Sequence, residues 1–468
     1  MSLAAPVART ERLFAGKRGL LLGTVLFVNF VVWLDSAKFS LLNPYWSADL
    51  HLTPAQISSV VASYLLGYFP LLLLAGILSD RLGAKLMLII CVLGVTVLSA
   101  SMAFVHTYTE MWWRNFVFGI FFGFLWAPSQ RLLALWFPGA LGARATATWM
   151  SSTLIAGVLS PAIALPLANH LSWRDAFWIV AALGIPALLG LIFLVADKPE
   201  KMRGISREEV DHIQAGFSAQ TEAKLPFREV LKALRKPSIV TMAIATALAT
   251  TPTWLAGPWM PYGLLTLEKV DPDLIAWVSP LVAVVPVAVG LFSGTLVTRF
   301  FGGRLKPWLI LGPLCGAIGF ALAALFPGTP WLLWGLAIGA LAFLCDPLFW
   351  GNVNSYWAGI ARPEVTGTLN GLAACLQVAV GWYITNESGK WLDASATGRG
   401  QLSPILWVGA AIFAVAIIPV ALSREIRVSK RVVDHGPGPR EVLAQQAVPE
   451  MPAMLTEPAE VIAPEKRS

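Results

Sequence analysis

Charge is what this chain has least of. Only 13% of its 468 residues are Asp, Glu, Lys or Arg, against roughly a quarter in soluble domains. So little charge cannot clothe a water-facing surface, which excludes a soluble enzyme and a disordered chain. Cysteine is equally sparse. Cys91, Cys315, Cys345 and Cys375 all fall inside apolar stretches and form no CxxC, so neither a disulfide framework nor a metal site is expected. The five histidines fall in expected loops or tails. There is no GxxxxGK[ST] phosphate loop, which argues against direct use of ATP. No constellation for covalent catalysis is visible, so the chain does not read as an enzyme, and no cofactor is implied.

What the chain has instead is apolar length. Hydrophobic residues make up 56% of it, many in runs near the roughly 20 residues that cross a bilayer. The period-2 alternation of a membrane β-barrel is absent. Breaks at Pro, Gly and charge divide the runs into twelve expected spans at 19–43, 55–78, 86–105, 110–133, 146–169, 175–196, 238–265, 274–298, 307–326, 331–353, 366–386 and 402–422. The expected fold is therefore all-α and polytopic. It comprises an N-terminal segment 1–18, six-helix bundles at 19–196 and 238–422, a polar loop 197–237, and a tail 423–468 without an apolar face. The first apolar run has no cleavage site after it, so a removable signal peptide is not expected.

The net charge of +7 reflects topology, not nucleic-acid binding. With the N-terminus inside, 28 of the 34 Lys and Arg fall on inner segments. That bias puts both termini and the central loop in the cytoplasm, and the expected location of the multi-pass chain is a cell inner (plasma) membrane. In the loop, Ser206 followed by Glu209 reads as a capping box opening a short amphipathic helix.

A repeat follows. After the second span comes Gly76-Ile-Leu-Ser-Asp80-Arg81-Leu-Gly83-Ala-Lys85, and after the eighth comes Gly294-Thr-Leu-Val-Thr298-Arg299-Phe-Phe-Gly302-Gly-Arg304. One motif at matching points of two six-span halves marks a duplicated transporter. The second copy has Thr298 for the acid and one extra residue. Gly76, Asp80, Arg81, Gly83 and Lys85 are thus candidates for a loop that serves conformational switching.

On these motifs the chain resembles the major facilitator superfamily over residues 10–425. Further stretches resemble its anion:cation symporter branch. They are Trp33-Leu-Asp35-Ser36, Arg114, Trp136-Phe-Pro138, Trp173-Arg-Asp-Ala-Phe177, Lys198-Pro-Glu200, Ser206–Glu209, Leu225-Pro-Phe227 and Trp259-Met-Pro261. The resemblance implies a twelve-helix fold and proton-coupled uptake of a small organic anion: a sugar acid, a carboxylate or an aromatic acid. It also implies a cavity lined by the first, fourth, seventh and tenth helices. Two departures stand out. The branch's usual Arg after Asp35 is Ser36, and its usual fourth-span Glu falls at Phe121 or Phe122. Their loss favours the alternative of a facilitator or efflux protein for neutral or aromatic compounds. A non-transporting receptor on the same fold is a further alternative.

Charged side chains inside a membrane are functional candidates by default. Asp35 reads either as a proton carrier or as half of an ion pair with Lys38 or Arg114. Asp346 reads as a second titrating group or as the cap of a half-helix starting at Pro347. Arg114 offers a planar fork for a carboxylate or a link between helices. Lys38 offers a substrate cation or a snorkelling one. Tyr64, Tyr68 and Trp254 are candidates to stack on substrate. Polar stripes at Thr366, Asn370, Gln377 and Gly381 and at Thr246, Thr250, Thr253 and Gly257 mark either a wet cavity or helix packing, with Asn370 and Gln377 the candidates for substrate contact. The expected partners are a small molecule and the bilayer, with the protein a monomer.

Overall fold

The computed structural model describes residues 16–137, 140–215, 235–325, 344–360, 363–394 and 402–427. Helices dominate, and among the described residues there is no strand, just one isolated bridge between Arg304 and Arg427. In the first half of the chain the helices are α1 (Gly16–Leu41), α2 (Asn43–Asp49), α3 (Pro54–Tyr68), α4 (Leu71–Leu82), α5 (Ala84–Met102), α6 (Tyr108–Phe122), α7 (Trp126–Trp136), α8 (Ala140–His170), α9 (Trp173–Ala182) and α10 (Gly184–Leu194). Then come α11 (Arg207–Ala215) in the loop and α12 (Pro237–Tyr262), α13 (Pro272–Phe300), α14 (Leu305–Leu325), α15 (Cys345–Ile360), α16 (Pro363–Asp393) and α17 (Ser403–Leu422).

Nine segments of the described chain are long and apolar enough to cross a membrane. Three of the twelve expected spans are not among them. The second is divided at Phe69 and Pro70 into α3 of 15 residues and α4 of 12, as the fourth is at 123–125 and the sixth at Leu183. The eleventh, α16, carries Asn370, Gln377, Asn386 and Glu387. Most of the tenth, and the tail beyond Arg427, lie outside the described residues. A multi-pass membrane protein follows from the nine. Its outer face fits hydrocarbon, since Trp277, Leu281 and Phe292 along α13 are all well exposed.

Local chemistry sets the helix ends. Thr53 and Gln56 form a full capping box at α3, and the Thr107 and Ser172 hydroxyls cap α6 and α9. The box expected at Ser206 is half made. Ser206 accepts from the Glu209 amide, but the Glu209 carboxylate turns to the amides of Arg18 (3.1 Å) and Lys17 (3.5 Å). The first turn of α1 has free N–H groups that attract an anion, and it takes the carboxylate. In α12 the hydroxyls of Thr246, Thr250, Thr251 and Thr253 bond back to carbonyls of their own helix. Thr246 and Thr250 are buried, whereas Thr253 and Gly257 are half-buried and a Cβ on Gly257 would meet nothing within 4 Å.

Candidate functional site

Two glycines fix how α3 meets α6. A Cβ on Gly67 would strike the carbonyl of Phe116, and one on Gly119 would strike the carbonyl of Tyr64. The backbones therefore touch, as small residues allow between membrane helices. Asn115 locks the crossing: its buried amide donates to the Val60 carbonyl at 2.7 Å and the Ser63 hydroxyl at 3.3 Å.

This crossing builds an aromatic cluster. Tyr64 and Tyr68 stack at 6.0 Å and 9°. Phe122 stands edge-on to both, at 5.2 and 5.7 Å. Trp33 of α1 meets Phe122 edge-on at 5.2 Å. From the second half, Trp254 of α12 approaches Tyr64 at 6.4 Å, and Gly381 of α16 lies against its indole. Ser36 is within side-chain hydrogen-bonding reach of Tyr64. The three aromatic residues expected to stack on substrate are thus brought together. Trp33 and Phe122 join them, which residue type alone did not single out among 20 tryptophans and 24 phenylalanines. Gln377 is buried one helical turn before Gly381, and Asn370 is half-buried two turns earlier still.

The charged candidates lie elsewhere. Lys38 is fully buried and paired with Asp35. Its ammonium also donates to Ser99 of α5 at 2.5 Å, and the Ser99 hydroxyl donates to Asp35 at 2.7 Å. The ring of Phe177 covers it at 4.6 Å. Asp35 and Lys38 therefore face α5 and α9, while Trp33 and Ser36 of the same helix face the cluster. Arg114 points away too: it donates to the Ser101 carbonyl at the end of α5, with Glu110 at 3.9 Å. The side chain of Asp346 lies outside the described residues.

The repeated loop sits at the end of the bundle that carries most of the basic residues, here called the basic end. Asp80 pairs with Arg131 of α7. Gly83, at φ 97°, leaves room for the Asp197 carboxylate, which accepts from the Lys85 amide at 2.8 Å, while the Lys85 ammonium reaches the Ile192 carbonyl at 2.7 Å. Arg81 is exposed, and a Cβ on Gly76 would meet only the Ala127 methyl, at 4.0 Å, an ordinary contact. In the second copy Glu425 takes the place of Asp197, accepting from the Lys306 amide at 3.1 Å. Thr298 has no acid's reach and bonds to the carbonyls of Gly294 and Thr295. Arg131, Asp197 and Glu425 carry these contacts, and no motif had marked them.

At the far end, polar contacts join the two halves of the chain. Asn43 donates to the Pro258 carbonyl at 2.7 Å, and the Ala55 amide donates to Asp393 at 3.1 Å. The Ser58 hydroxyl donates to the Asn386 carbonyl at 3.0 Å. Asp273 meets His170 at 3.0 Å and Asn169 at 3.1 Å. The Tyr45 phenol is pushed up to about 12, first by burial and then by the charges of Asp273 and Asp271.

Residues 25–385 match the family model described as Major Facilitator Superfamily. A probable sulfoacetate transporter of Cupriavidus necator is 23% identical over 61% of this chain and 66% of its own length. A hexuronate transporter of Bacillus subtilis is 27% identical over 38% of this chain and 42% of its own. The chain thus aligns with less than two thirds of either relative. Among solved structures, a xylose transporter from E. coli in a partially occluded inward open conformation superposes with a TM-score of 0.66. That likeness has 18% identity and covers 88% of this chain and 99% of that one, a likeness of fold.

Proposed function

The chain belongs to the major facilitator superfamily, and we propose that it is a secondary active transporter taking up a small organic anion with protons by alternating access. The observation that carries this reading is the placement of polar contacts. At the far end they run between the halves, from Asn43 to Pro258, Ala55 to Asp393 and Asp273 to His170. At the basic end, Asp80, Asp197, Glu209 and Glu425 bond within their own half or to the loop. Two bodies latched at one end and internally braced at the other suit a rocking motion about the aromatic cluster between them. With the basic end in the cytoplasm, as the charge bias implies, the latched end faces outward. The names of the relatives, sulfoacetate and hexuronate transporters, both denote organic anions.

Proton coupling rests on Asp35, with Asp346 as its rival. Asp35 is buried against Lys38 and Ser99, so it couples to substrate through movement of α1 and not by contact. Removing one member of a buried pair costs roughly 3–5 kcal/mol, so the test is the double variant Asp35→Asn with Lys38→Met, which leaves no orphaned charge. In proteoliposomes it is expected to lose uptake driven by a pH gradient and to keep substrate exchange. Gradient-driven accumulation that persists assigns coupling to Asp346. The rival reading, a facilitator or exporter of neutral or aromatic compounds, draws on Lys38 and Arg114 facing away from the cluster. It predicts flux with no response to the gradient.

A further inference from the structure

The central cluster is rich in rings and in hydrogen-bond donors, and no described charged side chain bonds into it. Trp33 and Trp254 come from opposite halves, and both indole Nε1 atoms are buried without a hydrogen-bond partner. The indoles of Trp149, Trp173, Trp308 and Trp357 also lack partners, but those residues are buried and stand outside the cluster. Trp33 and Trp254 keep part of their surface open and flank the cluster, one from each half. An indole N–H donates and never accepts. A buried donor left unpaired is costly, and a ligand oxygen would recover that cost. The stacked rings of Tyr64 and Tyr68 and the edge of Phe122 supply aromatic surface beside these donors, suited to a flat group.

Resting on the transporter reading above, we propose that this site selects a planar aromatic carboxylate over a polyhydroxylated sugar acid. The ring of such a ligand lies against the tyrosines and Phe122. Its carboxylate oxygens accept from the indole N–H groups of Trp33 and Trp254. A carboxylate accepting from neutral donors still makes a charge-assisted bond, so no arginine is required. A sugar acid fares worse: each of its hydroxyls needs partners, and ring faces offer none. The Tyr64 and Tyr68 phenols, Ser36 and Gln377 lie at or near the cluster, but most of the surface there is aromatic carbon.

The test is equilibrium binding of radiolabelled benzoate and D-gluconate to the purified full chain, with Trp254→Phe and Trp33→Phe alongside. Benzoate is expected to bind at least about tenfold tighter than gluconate. Each Phe variant keeps a ring and loses the donor, so benzoate affinity should fall about tenfold or more. An unchanged melting temperature shows that the variants are folded. Gluconate binding as tightly as benzoate overturns the proposal, as does benzoate binding that both Phe variants leave intact. Counterflow in proteoliposomes separates this from the transporter reading. Benzoate that binds but never exchanges leaves the aromatic site standing and removes the transporter. Gluconate that exchanges while benzoate fails to bind does the reverse.

Discussion

The two ends of this bundle are held by the same kinds of bond, but the bonds join different things. At the far end, Asp393 reaches the first turn of α3 and Asn386 reaches Ser58, so α16 of the second half is tied to α3 of the first. At the basic end, Asp197 also reaches the first turn of a helix, α5, but both belong to the first half. A carboxylate on a helix N-terminus is a modest interaction wherever it occurs. What differs is whether breaking it frees one half from the other or loosens a half internally. On the proposed alternating-access mechanism, contacts of the first kind would be made and broken in each cycle, while those of the second kind would persist through it.

The largest expected effect comes from breaking the far end sterically. Gly389 of α16 lies so close to the Pro54 carbonyl and the Ser58 hydroxyl that a Cβ has no space. The Pro54 carbonyl is helix backbone and cannot yield. Overpacking of this kind costs roughly 1–3 kcal/mol. Because the collision lies between halves, the closed far end bears that cost and the fold of each half does not. Gly389→Ala is therefore expected to slow transport about tenfold or more while the melting temperature stays within a few degrees. It should also open the far end to impermeant thiol reagents at an introduced Ala55→Cys. Normal transport in Gly389→Ala would show that the far end never needs to close this tightly.

A smaller effect tests the basic end. Asp197→Ala removes the acceptor for the Lys85 amide and leaves Gly83 against empty space. Loss of a helix cap costs about 1 kcal/mol. Here the cost falls on the folded first half, so thermal unfolding should begin at lower temperature, with substrate affinity unchanged. An affinity change without a stability change would mean that this cap takes part in switching.

The same contrast explains what the sequence disclosed. Hydropathy and charge bias report on single segments, and they located most helices to within a few residues. They missed the divisions at Pro70, at 123–125 and at Leu183 because the helices on either side are apolar and each run looks continuous. Asp35, Lys38 and Arg114 were visible as charges in apolar surroundings. Which way each points depends on helix rotation, which is set by contacts such as Gly119 on Tyr64 and Phe177 on Lys38. Asp197 and Arg131 were invisible because their partners, Lys85 and Asp80, lie 112 and 51 positions away in the chain. The repeat showed that there were two loops, but not that Glu425 would stand in for Asp197.

The smallest effect asks whether the two loops are one device or two. Asp80 lies two residues before the end of α4, and Thr298 lies two before the end of α13. An acid in the last turn of a helix opposes the helix dipole, at about 0.3–1 kcal/mol. In the first loop Arg131 offsets that cost by pairing with Asp80. In the second, α15 has no Lys or Arg between Cys345 and Ile360 to play that part. Thr298 avoids the cost by bonding its hydroxyl to the carbonyls of its own last turn. Thr298→Asp, which makes the second loop match the first, is therefore expected to lower stability by about 0.3–1 kcal/mol, read as a small drop in the unfolding midpoint. The drop should shrink as salt is raised or as the pH is lowered enough to protonate the new carboxyl. A stability gain would mean that the second loop can recruit a basic partner as the first does, and the difference between the loops would then lie in one residue and not in the architecture around it.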